Sequence, residues 1–149
     1  YLDSNSNIGV TLTESVIEMD YGNWSGKKLA VLSKKKEWSL IQNQPGEFTF
    51  PNGESFQEMR RRVKSFLNSL IDADGPILIV SHGDIIKMAL TITLDLPLNK
   101  FQNFVIAPAS ISIIDYSQKS KSVISTNERI TDAGIISKAS KFILGGESA

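Results

Sequence analysis

The stretch Ile77-Leu-Ile-Val-Ser-His-Gly-Asp84 decides how the rest of the chain is interpreted. Its first four residues form a continuous apolar run, which is typical of a strand buried on both faces of a sheet. The short polar turn that follows leads directly into a helical pattern over residues 85–94. Because helices alternate with buried strands in this way, the sequence predicts an α/β fold.

The flanking segments supply further predicted elements. Ser55-Phe-Gln-Glu58 matches a capping box, in which serine and glutamate side chains satisfy free N–H groups at a helix start. Apolar residues then recur at helical spacing: Phe56, Met59, Val63, Phe66, Leu67 and Leu70. We also predict a short strand within Val10–Met19, a helix over Lys27–Trp38, a strand over Ser110–Ile114, its partner over Ser122–Ser125, and loops over Tyr21–Gly26 and Asn43–Gly53.

Composition restricts the classes of function. Hydrophobic residues make up 41% of the 149 positions, enough for one folded domain over residues 1–149, although the tail from Thr131 onward is weakly patterned. Sixteen basic residues balance sixteen acidic ones, so there is no general attraction to nucleic acid or to an anionic membrane. We interpret Arg60, Arg61, Arg62 and Lys64 as a solvated helix face rather than a nucleic-acid patch.

Several chemistries and locations can be set aside. The chain has one histidine and no cysteine, which disfavours a zinc site and excludes disulfides. It carries no phosphate-binding P-loop, no dinucleotide fingerprint and no nucleophile elbow. No apolar run approaches the roughly 20 residues of a membrane span. We therefore expect no metal, no cofactor, no membrane or nucleic-acid partner, and a cytoplasmic location.

His82 is the first candidate functional residue, because it lies where a predicted strand meets a helix. Ligands of open α/β sheets bind beyond the carboxyl ends of strands. Free N–H groups at a helix start favour an anion there, and Gly83 has no side chain to block its approach. A lone histidine is commonly structural, but this position favours an anion-binding role for His82 and for the N–H of Gly83.

Glu18 is the second candidate, because it precedes the glycine-rich turn that runs from Tyr21 to Gly26. A carboxyl group there could act as a general acid if burial raised its pKa. Spacing alone leaves the alternative of an ordinary surface acid open.

Taken together, these motifs resemble the histidine phosphatase superfamily, whose members share the fold of phosphoglycerate mutase. Residues 77–84 resemble the family's second-histidine motif, and Glu18-Met-Asp-Tyr-Gly-Asn-Trp-Ser-Gly26 resembles its general-acid motif. Pro51-Asn-Gly-Glu-Ser55 resembles the stretch before the family's long helix, and Pro108-Ala-Ser110 its closing strand. Asn127 stands where members often have asparagine. The similarity is greatest to broad-specificity and α-ribazole-type phosphatases.

The resemblance implies a three-layer fold, with a mostly parallel sheet between helices. It also implies hydrolysis of a small phosphorylated metabolite through a phosphohistidine. In such enzymes the histidine of an Arg-His-Gly motif attacks phosphorus, and arginines hold the phosphate. By analogy, His82 and the N–H of Gly83 would stabilise the phosphoryl group, and Glu18 would be the acid and base.

This chain contains no Arg-His-Gly and no second histidine. It is therefore interpreted as the larger, C-terminal part of such a domain, lacking the first strand and helix. Tyr1-Leu2 would end the helix that bears the second arginine. Three alternatives stay open at this point: part of a phosphatase, part of a phosphoglycerate mutase, or a non-catalytic phosphate-binding or interaction module. Oligomeric state is left open.

Overall fold

The computed structural model describes the backbone of residues 9–131 and 134–135, and the side chains of residues 9–129. The α-helices are α1 (Leu29–Leu32), α2 (Trp38–Asn43), α3 (Phe56–Ser69) and α4 (Gly83–Thr93). The strands are β1 (Ile111–Tyr116), β2 (Lys121–Glu128), β3 (Ile130–Thr131) and β4 (Gly134–Ile135). Short 3₁₀ helices cover Glu14–Val16, Gly22–Trp24, Pro45–Glu47 and Leu98–Asn103. The predictions for Tyr1-Leu2 and for most of the tail fall outside the described residues.

Helix α3 begins where the sequence predicts. The Ser55 hydroxyl accepts a hydrogen bond from the N–H of Glu58, and the Glu58 carboxylate accepts one from the N–H of Ser55. The Ser55 hydroxyl also donates a hydrogen bond to the Glu58 carboxylate, and this bond, together with that from the Ser55 N–H, lowers the pKa of Glu58. The apolar face of α3 is buried through Met59 and Val63 and packs against α4.

An aromatic cluster holds the loops between residues 20 and 55 onto these helices. Phe48 and Phe50 lie edge to face with ring centroids 4.9 Å apart, and the Trp24 ring packs on both of them. The Phe50 ring reaches Phe56 at the start of α3, which in turn contacts Phe101. Edge-to-face pairs add specific geometry to the burial of large apolar rings. The segment that carries Glu18 is thereby fixed at its carboxyl-terminal end.

Two glycines allow that segment to lie directly on the turn before α3. A Cβ on Gly22, whose φ is +50°, would lie 2.3 Å from the Pro51 carbonyl oxygen. A Cβ on Gly53 would lie 2.5 Å from the Asp20 carbonyl oxygen. Only residues without a side chain permit both approaches, so the two motifs quoted above form one packed unit.

The clearest departure from prediction concerns residues 77–80. They form no strand, and Leu78 and Val80 are 72% and 77% exposed. No strand pairs with them among the described residues, where the two strand pairs, β1–β2 and β3–β4, are both antiparallel. A buried parallel strand needs neighbours to accept its backbone hydrogen bonds and cover its side chains. The expected parallel sheet is therefore not formed within the described part.

Three smaller predictions also need correction. The predicted strand within Val10–Met19 is a single 3₁₀ turn over Glu14–Val16. The predicted helix over Lys27–Trp38 breaks after four residues, and a second helix starts at Trp38; four consecutive polar residues, Ser33 to Lys36, provide no apolar face there. The predicted loop over 43–53 contains the Pro45–Glu47 turn. The predicted pairing of β1 with β2 is confirmed.

The exposed run at 77–80 generates a prediction for the chain of residues 1–149. Leu78 and Val80 are two positions apart, so they share one face of the extended segment. Replacing Leu78 and Val80 together by Thr should lower binding of the dye ANS by about half or more, because the dye reports exposed apolar surface. The matched control replaces Val31 in α1 and Leu94 at the end of α4, whose exposed side chains lie on different helices, by Thr. Equal losses in the two double variants would contradict a continuous apolar surface at 77–80.

Candidate active site

The structure brings Glu18 and His82 together although they are distant in sequence. The Glu18 Oε2 atom lies 4.0 Å from the His82 Nδ1 atom. The Glu18 side chain is 32% exposed and that of His82 is 54% exposed, so both groups face a solvent-accessible space. A carboxyl group and an imidazole at this separation can act on the same bound molecule.

His82 owes its position to the start of α4. It is the residue that caps the helix, with extended backbone, and its carbonyl accepts the first helical hydrogen bond from Ile86. The N–H groups of Gly83 and the next two residues have no helical acceptors, as at every helix start. Together with the helix dipole, they give this end of α4 a partial positive charge beside the imidazole.

The backbone just before Glu18 is held by two side chains that are distant in sequence, those of Arg62 and Ser81. Arg62 of α3 donates hydrogen bonds to the carbonyls of Ser15 and Ile17, at 2.9 and 3.1 Å, and pairs with both carboxylate oxygens of Glu54. The Ser81 hydroxyl donates to the carbonyl of Val16 at 2.6 Å. The backbone just before Glu18 is therefore tied both to α3 and to the turn that carries His82.

The bonds of Arg62 correct the interpretation of the basic stretch. Arg62 is a half-buried structural anchor, and Arg60 donates a hydrogen bond from Nη1 to the carbonyl of Leu96 at 3.1 Å. Of the four residues predicted to form a solvated face, Arg61 and Lys64 are exposed. Two of the four basic residues thus make structural hydrogen bonds, and the other two face solvent.

The environment of Glu18 favours its protonated form. Burial raises its pKa above the ordinary value, and the negative charge of Asp84 adds to the increase. The N–H of Met19, which donates to the carboxylate at 3.0 Å, acts in the opposite direction, as do His82 and Lys87. The net result is a raised pKa, as a proton donor working near neutral pH requires.

Both side chains line one cavity of about 600 Å³. Three segments form its walls: Glu18 with Tyr21, the stretch from Leu78 to Lys87, and the loop from Ile106 to Ile111. The third wall is stabilised by Asn127, whose side-chain oxygen accepts a hydrogen bond from the N–H of Ala107 at 2.6 Å. Asn127, noted in the sequence only by resemblance, is thus connected to the cavity through its wall.

Three residues of this region were not singled out from the sequence. The Tyr21 hydroxyl donates to Asp84 Oδ2 at 2.9 Å, and Lys87 Nζ lies 3.2 Å from Asp84 Oδ1. Tyr21 and Asp84 stand inside the two quoted motifs. Lys87 could have been recognised as the one basic residue in the apolar helix α4, a position where a buried ion pair is expected.

Within the part of the chain that the structure describes, no cluster of three or more acidic or histidine side chains could hold a metal ion. The same part of the chain contains no helix with the length and hydropathy of a membrane-spanning segment.

The site combines a histidine at a helix start with a partly buried carboxyl group that faces it. This arrangement, in an α/β fold, is suited to binding an anion. The family comparison makes the class specific: residues 1–129 match the histidine phosphatase superfamily (branch 1). The chain belongs to this superfamily.

Individual relatives agree with that assignment. The chain is 26% identical to phosphoserine phosphatase 1 of Hydrogenobacter thermophilus over 125 residues, covering 81% of this chain and 59% of the relative. It is 32% identical to the probable phosphoglycerate mutase GpmB of Cronobacter sakazakii, covering 73% and 53% of the two chains. The crystal structure of the α-ribazole phosphatase from Shigella flexneri superposes with a TM-score of 0.70 at 25% identity, covering 83% of this chain and 63% of that one.

These relatives confirm the predicted α/β fold of the phosphoglycerate-mutase type. The chain spans about three fifths of the length of the first curated relative.

The raised pKa of Glu18 generates a prediction about the pH dependence of stability. Between the ordinary pKa of glutamate and the raised one, the folded protein keeps a proton that the unfolded chain releases, so stability falls as pH rises through this window. Glu18→Gln removes that loss and should raise the melting temperature at neutral pH. Below the usual titration range of glutamate, the difference from the parent should disappear.

The control is Glu47→Gln, which changes an exposed carboxylate in the same way. Thermal melts at a series of pH values provide the measurement. A melting temperature of Glu18→Gln that equals the parent's at every pH would show that the fold does not strain this carboxyl group.

Proposed function

We propose that the protein is a phosphomonoester hydrolase in which Glu18 is the general acid and base and His82 stabilises the transferred phosphoryl group. The observation that carries the proposal is the 4.0 Å approach of Glu18 to His82 at the start of α4. A protonated carboxyl group can supply the proton that a leaving alkoxide needs. An imidazole with helix N–H groups can meet the charge on the phosphoryl oxygens.

The reaction we propose has two steps. A nucleophilic histidine that residues 1–149 do not contain attacks phosphorus, the bond from phosphorus to the leaving oxygen breaks, and the Glu18 carboxyl gives its proton to that oxygen. Glu18, now a carboxylate, then takes a proton from water as the water oxygen attacks phosphorus and the bond from phosphorus to the histidine nitrogen breaks. Free phosphate leaves, and Glu18 is protonated again. His82 and the N–H of Gly83 act on the phosphoryl oxygens in both steps.

The exposed backbone at residues 77–80 supports the placement of that nucleophile on an additional strand. A strand lying along this segment would satisfy its free N–H and carbonyl groups and cover Leu78 and Val80. Its end would then stand beside His82, at the same edge of the sheet. The active site would thus be assembled from this chain and the segment bearing the attacking histidine.

A small phosphorylated metabolite is the substrate class that we propose. The named activities of the relatives, on phosphoserine and on α-ribazole phosphate, both concern small phosphomonoesters. A cavity of about 600 Å³ falls in the size range of pockets for small molecules. Such metabolites are made inside cells, and we therefore place the activity in the cytoplasm.

A phosphoglycerate mutase is the second candidate, favoured by the 32% identity to the Cronobacter relative. In a mutase the phosphohistidine would return its phosphoryl group to a second substrate hydroxyl instead of to water. The short segment between Gly26 and Gly53, which holds α1, α2 and the 3₁₀ turn Pro45–Glu47, argues for the hydrolase because it leaves little chain for closing over a retained intermediate. Release of inorganic phosphate from 3-phosphoglycerate without formation of 2-phosphoglycerate would decide for hydrolysis.

The role of His82 generates a direct prediction. In the full-length protein, His82→Ala should lower kcat/KM for p-nitrophenyl phosphate by about a hundredfold or more, since single contacts to transition-state charge contribute about 10²–10³. The melting temperature should change little, because the His82 side chain is largely exposed. Near-normal turnover by this variant would remove His82 from the reaction.

The role of Glu18 generates a second prediction, which concerns the leaving group. A proton donor matters most when the leaving alcohol is a poor one, and general acid catalysis contributes about 10²–10⁴ there. Glu18→Gln should therefore reduce the hydrolysis of alkyl phosphates far more than that of p-nitrophenyl phosphate. Equal losses on both substrates would indicate that Glu18 only positions the substrate.

A further inference from the structure

Tyr21, Asp84 and Lys87 form a cluster in which one carboxylate is bound on both of its oxygens. The Tyr21 hydroxyl donates a hydrogen bond to Oδ2 of Asp84, and the Lys87 ammonium group forms an ion pair with Oδ1. Burial and the negative charges of Asp84 and Glu18 raise the pKa of the Tyr21 phenol. The phenol therefore keeps its proton and remains a donor to Asp84 at all physiological pH values.

Lys87 is buried to an unusual degree for an ionisable side chain. It is 3% exposed, and its ammonium group lies 5.4 Å from the centre of the Phe101 ring. Its neighbours along α4 are apolar, and an apolar side chain would fill the same space without the cost of desolvating a charge. Stability alone is thus a poor reason for an ion pair at this point in the helix.

The cluster lies between the two segments of the site. Tyr21 follows Glu18 by three residues, and Asp84 follows His82 by two. The bond from Tyr21 to Asp84 therefore joins the loop that carries the acid to the helix start that carries the imidazole. The same three residues, Tyr21, Asp84 and Lys87, line both the cavity of Glu18 and His82 and a second cavity of about 510 Å³ beside Trp24, so they form the wall between the two.

We propose that Tyr21, Asp84 and Lys87 are positioning residues for Glu18, which fix its carboxyl group relative to His82 and set the charge that it faces. The inference rests on the proposed function, in which Glu18 is the proton donor. Lys87 holds the Asp84 carboxylate in place, Tyr21 fixes its direction, and Asp84 acts on Glu18 through its negative charge. The ionisable groups that act on Glu18 are Asp84, His82 and Lys87.

The first test uses Tyr21→Phe in the full-length protein. This change removes the hydroxyl but keeps the ring, which packs edge to face on Phe50 at 5.2 Å. If the cluster positions the proton donor, kcat for alkyl phosphates should fall about tenfold while p-nitrophenyl phosphate loses less than about twofold, because misplacing a donor penalises only poor leaving groups. KM should stay the same for both substrates.

The matched control is Tyr116→Phe. The Tyr116 hydroxyl also donates a hydrogen bond to a side chain, Asn68 Oδ1 at 3.0 Å, but it lies outside the walls of the site. This variant should keep the leaving-group dependence of the parent. A loss in Tyr21→Phe that is equal on all substrates, or no loss at all, would overturn the proposal, since partial unfolding reduces every rate alike.

The second test uses Asp84→Asn and follows the titration of the Glu18 carboxyl by NMR. Removing the negative charge should lower the pKa of Glu18, so the alkaline limb of kcat for an alkyl phosphate should move to lower pH. If Lys87, left without its partner, prevents folding, the Tyr21 pair of variants still decides the question. If Glu18→Gln alone changes the rates on alkyl phosphates and on p-nitrophenyl phosphate equally, the proposed function itself is refuted. That outcome is separate from the result for the cluster.

Discussion

The hydrogen bonds that tie residues 15–17 to Arg62 and to Ser81 are the constraint on which the site depends. Glu18 follows a short 3₁₀ turn, and such a turn has little stability of its own. Arg62 fixes it to the long helix α3, whose capping box sets where that helix begins. Ser81, the residue before His82, fixes it to the turn that carries the imidazole. The separation of acid and imidazole therefore follows from bonds made by the backbone around them.

The site also places ionisable groups where burial is costly. Glu18 is held partly desolvated beside the negative charge of Asp84, and Lys87 is enclosed in an apolar helix. A fold selected only for stability would avoid both arrangements. Strain of this kind concentrates at functional sites, where a raised pKa is useful. The aromatic cluster around Phe50 and the close contact of Gly22 with Gly53 supply the compensating rigidity.

The sequence was informative where local chemistry alone determines structure. The start of α3 could be predicted from Ser55 and Glu58, and α4 and the β1–β2 pair from apolar periodicity. The candidates Glu18 and His82 could be named from their motifs. The prediction of a buried strand at residues 77–80 was wrong. An apolar run indicates such a strand but does not show whether neighbouring strands are present to pair with it. The roles of Arg62 and Tyr21 were also missed, since their partners are distant in sequence and only the fold brings them together.

We propose that Glu18 and His82 act on the same phosphoryl group. The test is a crystal structure of the protein together with the proposed nucleophile-bearing segment, with bound orthovanadate, which imitates a phosphoryl group in transfer. We expect a nitrogen of the His82 imidazole and the N–H of Gly83 to lie about 2.7–3.2 Å from equatorial oxygens of vanadate, with the Glu18 carboxyl at the same distance from the apical oxygen. Vanadate bound elsewhere, or out of reach of either side chain, would contradict it.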